Sequence, residues 1–163
     1  MEDGRKMKYI YRLIISMVIC LGAGLIGSIF TAPSIPTWYA ALQKPPFTPP
    51  NWLFAPAWIT LYLLMGISAS LVWQRGLDNR QNRMALISFL VQLVLNVLWS
   101  IVFFGFESPL SGIVVIALLW VAILITMLKF MQISTLAGFI LIPYIGWVTF
   151  AAILNVSIFI LNS

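Results

Sequence analysis

The charged residues of this 163-residue chain separate five long stretches that contain no Asp, Glu, Lys or Arg. A helix needs roughly 20 consecutive apolar residues to cross the hydrocarbon core of a bilayer. Each stretch is long enough for one crossing, and none comfortably holds two with a turn. Apolar residues make up 62% of the chain and charged residues 8%, which is too little charge for a water-facing surface. The sequence therefore predicts an integral membrane protein.

The predicted fold is an all-α bundle of five transmembrane helices that forms a single domain over residues 1–163. The predicted spans are residues 11–31, 51–74, 84–104, 109–129 and 134–160. Transmembrane strands are excluded because they would alternate apolar and polar residues, and the apolar run 113–120 does not. The first span also resembles a signal peptide, but its apolar run of about 18 residues exceeds a usual core of roughly 7–15. We interpret it as a retained helix.

The basic residues predict how the bundle is oriented. With five spans, eight of the nine Lys and Arg residues lie on the side of the N-terminus, and Lys44 alone lies on the other. Basic residues are enriched on the cytoplasmic side of membrane proteins. The N-terminus is therefore predicted to be cytoplasmic and the C-terminus outside. The eight residues are Arg5, Lys6, Lys8, Arg12, Arg75, Arg80, Arg83 and Lys129.

The connection at residues 32–50, on the predicted outer side, is the longest between two spans. It holds six of the nine prolines, which make it stiff and largely non-helical. Its centre, residues 37–43, is predicted to form a short helix that Thr37 caps. The segment also carries aromatic residues, and two interpretations fit it. It folds over the bundle as a lid, or it anchors the protein at the membrane interface.

Several kinds of chemistry are excluded by what the sequence lacks. The chain has no His, which removes imidazole zinc ligands, His-ligated haem and His-activated nucleophiles. The central parts of the spans contain no Asp, Glu, Lys, Arg or His, whereas ion-coupled carriers usually place such a residue there. The single Cys20 is interpreted as an apolar filler. We expect no metal site, no cofactor and no ordinary acid–base catalysis. Any ligand would be held by aromatic faces and neutral hydrogen bonds.

Helical spacing places aromatic and amide side chains on shared faces of three predicted spans. The second span contributes Trp58, Tyr62, Met65, Ala69 and Trp73; the third contributes Gln92, Asn96, Trp99, Ser100 and Phe103; the fifth contributes Tyr144, Trp147, Ala151 and Asn155. An unpaired amide in lipid costs several kcal/mol, so Gln92, Asn96 and Asn155 are predicted to point inward.

Two interpretations fit these faces. Amides often join transmembrane helices by hydrogen bonds. Large rings beside amides also leave irregular space, and ligand pockets combine apolar walls with a few fixed polar groups; the combined pattern favours a cavity. In the first span, small residues indicate close helix packing or, alternatively, a dimer face. These residues are Gly22, Gly24, Gly27 and Ser28.

Two long motifs resemble the TspO/MBR family, which comprises tryptophan-rich sensory proteins, translocator proteins and peripheral benzodiazepine receptors. The first runs from Trp38 to Pro50 and continues through residues 54–58. The second covers Pro143-Tyr144, Trp147, Phe150-Ala151 and Leu154-Asn155. Further matches lie at residues 92–109 and at Leu119-Trp120. The resemblance extends over about residues 10–160.

The resemblance implies a five-helix bundle, commonly a homodimer, with a pocket roofed by the first loop. Members bind porphyrins such as protoporphyrin IX and benzodiazepine-type drugs, and eukaryotic members bind cholesterol. The implied ligand-binding residues are Tyr39, Trp58, Tyr62, Asn96, Trp99, Ser100, Trp147 and Ala151. The implied lid residues are Trp38, Lys44, Pro45, Pro46, Pro49 and Pro50. The tryptophans that match Trp58 and Trp147 are implicated in light-dependent porphyrin breakdown.

The chain departs from the family pattern in two places. No Lys or Arg follows Lys129, so the C-terminal cholesterol motif of the family is incomplete. Many bacterial members carry an acidic residue early in the fourth span, where this chain has Val115-Ile116. The incomplete sterol motif and the lack of a transit-type N-terminus favour a prokaryotic plasma membrane.

Three functions are compatible with the sequence. The first is a membrane receptor or transporter that binds porphyrins and benzodiazepine-type ligands in an aromatic pocket within the bundle, for sensing or translocation. The porphyrin is then a ligand and not a prosthetic group. The second is light- and oxygen-dependent porphyrin degradation, in which Trp58 and Trp147 take part. The third is a membrane scaffold that binds a protein partner. None of them involves nucleic acid.

Overall fold

A computed structural model describes the backbone of residues 2–163 and the side chains of residues 6–163; Met1 and the Arg5 side chain lie outside that part. Every regular element in it is helical. Five segments are long and apolar enough to cross a membrane, which confirms the prediction of a five-helix integral membrane protein. The helices are α1 (Glu2–Ser34), α2 (Trp38–Ala41), α3 (Asn51–Trp73), α4 (Arg80–Ser100), α5 (Pro109–Ile133), α6 (Thr135–Ile140) and α7 (Ile142–Asn162).

The first and fourth long helices extend beyond the predicted spans. Helix α1 begins at Glu2 and not at residue 11, and α5 ends at Ile133 and not at residue 129. Charge limits the apolar span but does not end a helix. Helix α5 continues past Lys129, whose Nζ donates a hydrogen bond to the Ser88 hydroxyl, 3.0 Å away. A long basic side chain can thus stay within a membrane helix while its charge finds a polar partner.

The fifth span consists of two helices and not of one. Helix α6 ends at Ile140, and α7 begins at Ile142. Pro143 lies in the first turn of α7, where its missing N–H costs nothing. The proline ring would clash with the carbonyl group four residues earlier in a continuous helix. The break at Leu141 follows from this clash.

The third span ends in a wide turn. Residues Ile101–Gly105 form one π-helical turn after α4, and the Phe106 N–H donates to the Ile101 carbonyl at 2.9 Å. Such turns insert one residue more than an α-helical turn and are frequent at functional sites. This turn carries Phe103 and Phe104 on one wall of the bundle.

The segment between α1 and α3 contains the short helix that was predicted, α2, although this helix ends at Ala41. The predicted cap by Thr37 is wrong. The Thr37 side chain makes no capping bond; its hydroxyl donates instead to the Pro33 carbonyl at 2.9 Å. The last carbonyls of a helix lack partners within the helix, so this threonine completes the end of α1 and not the start of α2.

Close approaches between helices occur at small residues. Gly66 in α3 lies against the Met17 backbone of α1, Gly24 lies against the Tyr62 ring, and Gly27 lies against the Ser100 hydroxyl. The predicted packing role is therefore confirmed for Gly24 and Gly27. Gly22 has no atom of another element near the position of a Cβ, and Ser28 is exposed. Helix α1 contacts both α3 and α4, and α5 contacts α4 and α7.

The bundle has two distinct ends. At the basic end, the Arg12 guanidinium donates to the Trp73 carbonyl at 3.2 Å, and Gln81 meets Gln132 at 3.4 Å. The first part of α1, the end of α3, the start of α4 and the end of α5 therefore come together. At the loop end, the segment 35–50 packs beside α7, against Phe150 in its middle and Asn162 in its last turn. The core of the basic end is solid, with Met65, Val72 and Phe130 fully buried.

Candidate functional site

A cavity of about 580 Å³ lies inside the loop end of the bundle. Eight aromatic side chains and several small residues line it. The aromatic residues come from α2, α3, α4 with its π-turn, and α7: Tyr39, Phe54, Trp58, Tyr62, Trp99, Phe103, Phe104 and Trp147. The small residues come chiefly from α1, with one each from α3 and α7: Gly24, Gly27, Ser28, Ala32, Ala55 and Ala151. The space exists because large rings face residues that cannot fill it.

The rings form a nearly continuous aromatic wall. Trp58 lies between Tyr62 and Trp99, with ring centroids 5.8 and 6.4 Å away. Trp99 stacks on Phe103 at 5.4 Å with an interplanar angle of 20°. These separations fall in the range in which aromatic pairs attract each other. The wall is thus held in place by its own ring contacts.

The segment 35–50 contacts the aromatic wall through two ring pairs. Trp38 meets Phe103 edge-on at 5.4 Å, and Tyr39 meets Phe104 at 5.8 Å. Tyr39 lines the cavity, whereas the six predicted lid residues do not. Lys44 instead braces the segment: its ammonium lies 4.9 Å from the Tyr39 ring centre and donates to the carbonyls of Ala40 and Leu42 at 3.2 and 3.0 Å.

A pair of hydrogen bonds fastens this segment to the end of α7. The Gln43 N–H donates to Asn162 Oδ1 at 3.0 Å, and Asn162 Nδ2 donates to the Gln43 carbonyl at 2.9 Å. The same Nδ2 also donates to the Ile158 carbonyl at 2.8 Å. One side chain therefore ties the loop backbone to a helix that forms part of the cavity wall. We call this pair the Asn162 tie.

Two buried polar groups in the cavity lining have no hydrogen-bond partner among the described residues. They are the hydroxyl of Tyr39 and the indole N–H of Trp147. Burial raises the pKa of Tyr39 to about 12, so its hydroxyl keeps its proton at any physiological pH. Buried polar groups are usually paired. Two unpaired donors therefore belong to residues that border one apolar cavity.

The three predicted inward amides are confirmed as buried, and they form hydrogen bonds between helices. Tyr62 donates to Asn96 Oδ1 at 2.6 Å, Asn96 Nδ2 donates to the Tyr144 hydroxyl at 2.9 Å, and Tyr144 donates to Gln92 Oε1 at 2.7 Å. Gln92 Nε2 then faces the Met65 sulfur at 3.8 Å. Asn155 accepts from the Trp99 indole at 3.2 Å and donates to the Pro109 carbonyl at 2.9 Å.

The structure brings seven of the eight predicted ligand-binding residues around the cavity: Tyr39, Trp58, Tyr62, Trp99, Ser100, Trp147 and Ala151. Asn96 is not in the lining, because both ends of its amide are engaged by tyrosines. Contact of these residues with a ligand stays a prediction.

Sequence reasoning missed the wall that α1 provides, although its run of small residues was the available signal. It also missed Phe104, which an unbroken α-helix would turn away from Phe103.

The fold and this cavity define a class: helical integral membrane proteins with an aromatic cavity in the bundle and a proline-rich segment beside it. The chain belongs to the TspO/MBR family, whose model matches residues 16–161, and this confirms the resemblance of the motifs. It is 46% identical over 154 residues to the tryptophan-rich protein TspO of Archaeoglobus fulgidus, covering 94% of this chain and 99% of that one.

Two further relatives bear other names. The chain is 41% identical over 145 residues to protein CrtK of Rhodobacter capsulatus, with 89% of each chain covered. It is 35% identical over 133 residues to the translocator protein of Bos taurus, with 81% of this chain and 79% of that one covered. The similarity thus extends across bacteria, archaea and animals and over most of the fold.

Proposed function

We propose that this protein is a membrane receptor or transporter that binds porphyrins and benzodiazepine-type ligands in the aromatic cavity, for sensing or translocation. The observation that carries the proposal is the cavity itself, whose volume of about 580 Å³ lies within the roughly 300–1,000 Å³ of small-molecule sites. Related chains named tryptophan-rich sensory protein and translocator protein support the two roles.

The aromatic wall favours a flat, apolar ligand. A tetrapyrrole or a fused aromatic drug would stack on the rings of Trp58, Trp99 and Trp147. Aromatic pairs contribute about 0.5–1.5 kcal/mol each beyond the burial of area. The two unused donors, the Tyr39 hydroxyl and the Trp147 indole N–H, would bind a carbonyl or carboxylate oxygen of the ligand.

The segment 35–50 acts in this proposal as a lid. Its ring contacts with the π-turn and the Asn162 tie support a closed position over the cavity. Lys44 would act indirectly, because its ammonium braces Tyr39 and does not line the cavity. A propionate group would therefore meet Tyr39 before it meets Lys44.

Titration of purified protein in detergent with protoporphyrin IX tests the proposal, with the Soret band of the porphyrin as the readout. We expect one site per chain, and Trp58→Ala and Trp147→Ala should each weaken binding by roughly tenfold. Trp52→Ala is the matched control, because Trp52 is 71% exposed and lies outside the cavity. Unchanged affinity in both cavity variants would remove this site from consideration.

A second candidate function is light- and oxygen-dependent degradation of the bound porphyrin. The close ring separation of Trp58 and Trp99, 6.4 Å in the cavity wall, favours it because excitation at the ligand would reach oxidisable indoles. Illumination of the complex with and without oxygen, followed at the Soret band, distinguishes degradation from binding alone. Equal bleaching by wild type and by Trp58→Phe/Trp147→Phe would discard protein-directed chemistry. If this protein bound a stable protein partner and had no affinity for porphyrin, the result would favour a scaffold function instead.

The same proposal places the protein in a prokaryotic plasma membrane as a homodimer, with its N-terminus in the cytoplasm. The convergence of Arg12, Arg75 and Arg80 at the basic end supports this orientation, since basic residues concentrate on the cytoplasmic side. Reporter fusions at either terminus and light scattering of the detergent-solubilised protein test the orientation and the dimer. If a reporter fused to the N-terminus were active only outside the cell, the orientation would be the opposite of the proposed one.

A further inference from the structure

A second, smaller cleft of about 140 Å³ lies at the basic end, where α1, α3 and α4 meet. This cleft is separate from the aromatic cavity, because no residue lines both of them. Its outer edges are Ile19 and Leu90, which are 45% and 49% exposed on the lipid-facing surface. The cleft therefore opens sideways toward the bilayer. Its lining includes Ser16, Ile19, Ala69, Trp73, Phe89 and Leu90.

The polar group in this cleft is the hydroxyl of Ser16. Ser16 is 6% exposed, and its hydroxyl has no partner among the described residues. Serines within a helix commonly donate to the carbonyl four residues earlier, as Ser88 does to Met84 at 2.9 Å. An unpaired hydroxyl at membrane depth is costly. The cleft thus offers the Ser16 hydroxyl as a hydrogen-bond donor that no described residue of the protein satisfies.

A guanidinium lies next to this hydroxyl in the direction of the basic end. Arg12 precedes Ser16 by one helical turn, so both side chains lie on the same face of α1. The Arg12 guanidinium sits 5.8 Å from the Trp73 ring centre, and its Nη1 donates to the Trp73 carbonyl at 3.2 Å. These contacts hold the charge beside Trp73, which lines the cleft, and leave the other N–H groups of Arg12 available.

The order of these groups along α1 matches the order of groups in a glycerophospholipid. Going inward from the basic end, the surface presents a guanidinium at Arg12, a hydroxyl donor at Ser16 and apolar walls beyond Ile19. A phospholipid presents its phosphate, its ester carbonyl and then its acyl chain. Basic pockets between transmembrane helices on the cytoplasmic side are known to take anionic head groups. The small volume suits a stretch of acyl chain and not a whole molecule.

We propose that this cleft is a site for one anionic glycerophospholipid of the membrane. The phosphate binds Arg12, the Ser16 hydroxyl donates to an ester carbonyl, and the acyl chain lies between Ile19 and Leu90 against Phe89. Trp73 closes the cleft from the α3 side. The bound lipid joins the basic ends of α1, α3 and α4, and the site does not depend on what the aromatic cavity holds.

Native mass spectrometry of the delipidated protein with phosphatidylglycerol or phosphatidylcholine tests the proposal. Wild type should bind one phosphatidylglycerol per chain about fivefold more tightly than phosphatidylcholine, the effect of one favourable basic contact. In Arg12→Gln this ratio should fall toward one. Arg83→Gln is the matched control, because it removes the same charge from the same end, outside the cleft. Equal losses in both variants would show diffuse attraction and overturn the site.

Two further variants test the donor and the walls. Ser16→Ala should weaken the binding of both lipids by the same factor, roughly threefold, and leave the ratio of the two affinities unchanged. Leu90→Trp should close the cleft and abolish specific binding, whereas Val94→Trp, on the same exposed face of α4 one turn away, should bind as wild type does. Lipid binding that Arg12→Gln, Ser16→Ala and Leu90→Trp all leave unaltered would identify an unspecific lipid annulus. A change of oligomeric state in Leu90→Trp, with lipid binding intact, would assign this surface to a second copy.

Discussion

The loop end and the basic end of the bundle are made of the same helices, but their centres are filled differently. At the loop end, rings face glycine, alanine and serine, and a cavity of about 580 Å³ remains. At the basic end, Met65, Val72, Phe89 and Phe130 are buried without comparable space, and Phe89 stacks on Phe130 at 5.8 Å. Residue size across the helix contacts, and not hydrophobicity, therefore separates a cavity from a solid core.

The polar groups at the two ends lie in different surroundings. At the basic end, the Ser68 hydroxyl donates to the Ala137 carbonyl at 2.7 Å, and Asn82 donates to the Arg75 and Gly76 carbonyls at 3.1 and 2.9 Å. At the loop end, Tyr39 and Trp147 keep unused donors. The basic end also holds an unpaired buried donor, Gln74 Nε2, so the distinction is that the unpaired donors of the loop end belong to residues that line a large cavity.

The largest expected effect comes from adding one methyl group at a helix contact of the solid end. A Cβ on Gly66 would lie 2.9 Å from the Met17 Cα, so Gly66→Ala must push α1 away from α3, at a cost of about 2–3 kcal/mol. Gly27→Ala, where the nearest atom is the Ser100 hydroxyl at 3.1 Å, should cost less than about 1 kcal/mol. Thermal unfolding in detergent compares them. Equal losses would mean that the two ends are packed alike.

The next effect concerns the hydrogen-bond chain between the two ends. Asn96→Leu removes the partner of Tyr62 and one partner of Tyr144, and we expect a loss of about 1–2 kcal/mol in unfolding free energy. Ser100→Ala is the control, because the Ser100 hydroxyl forms no hydrogen bond within the described chain. Thermal unfolding monitored by circular dichroism measures both variants. Unaltered stability in Asn96→Leu would show that the chain is dispensable for folding.

Removal of a polar group from the chamber should have the opposite consequence for stability. Tyr39→Phe deletes an unpaired buried donor with little loss of volume, so stability should stay the same or rise. Trp147→Phe deletes another donor, but it also shrinks a ring that packs on Phe54 and Phe150 and should lower stability. Affinity for protoporphyrin IX should fall about fivefold, equivalent to roughly 1 kcal/mol. Isothermal titration together with thermal unfolding separates the two quantities. Loss of stability without loss of affinity in Tyr39→Phe would assign this donor to the fold.

The smallest effect is expected at the Asn162 tie. Asn162→Ala removes both hydrogen bonds to Gln43, and amide exchange at Gln43 should accelerate roughly fivefold, as loss of about 1 kcal/mol predicts. Ser163→Ala serves as the control, since the Ser163 hydroxyl contacts only the Ile160 carbonyl. Hydrogen exchange detected by mass spectrometry requires no ligand. An unchanged exchange rate would mean that ring contacts alone hold the loop segment.

Much of this architecture was predictable because a few physical rules govern it. The charge-free stretches gave five spans since charge is costly in lipid, and the amides at Gln92, Asn96 and Asn155 were placed inward by the same cost. The grouping of Trp58, Trp99 and Trp147 followed from helical spacing. Periodicity thus identifies which face of a helix turns inward, and most of the aromatic wall is a consequence of that.

The features that were not predicted depend on local geometry with no periodic signature. The π-turn at Ile101–Gly105 has no composition cue, so Phe104 was left out of the wall. Pro143 is compatible with a helix start as well as with a break, so the division between α6 and α7 was missed. The Thr37 hydroxyl can bond either to the first N–H groups of α2 or to the last carbonyl groups of α1. The course of the backbone between the two helices places it on the Pro33 carbonyl, and the sequence does not reveal that course. The Asn162 tie joins residues too distant in sequence for any local pattern to pair them.

The Met65 sulfur can accept a hydrogen bond but cannot donate one. The amide that meets it must therefore present its NH₂ group, and each later member of the chain through Tyr144 and Asn96 is forced to point the same way. This one-way polarity ends at Tyr62, whose proton is already committed to Asn96. A ligand that reaches the Tyr62 oxygen must supply the hydrogen of any bond to it, so the Met65 thioether, one turn further along α3, determines which chemical partner this phenol accepts.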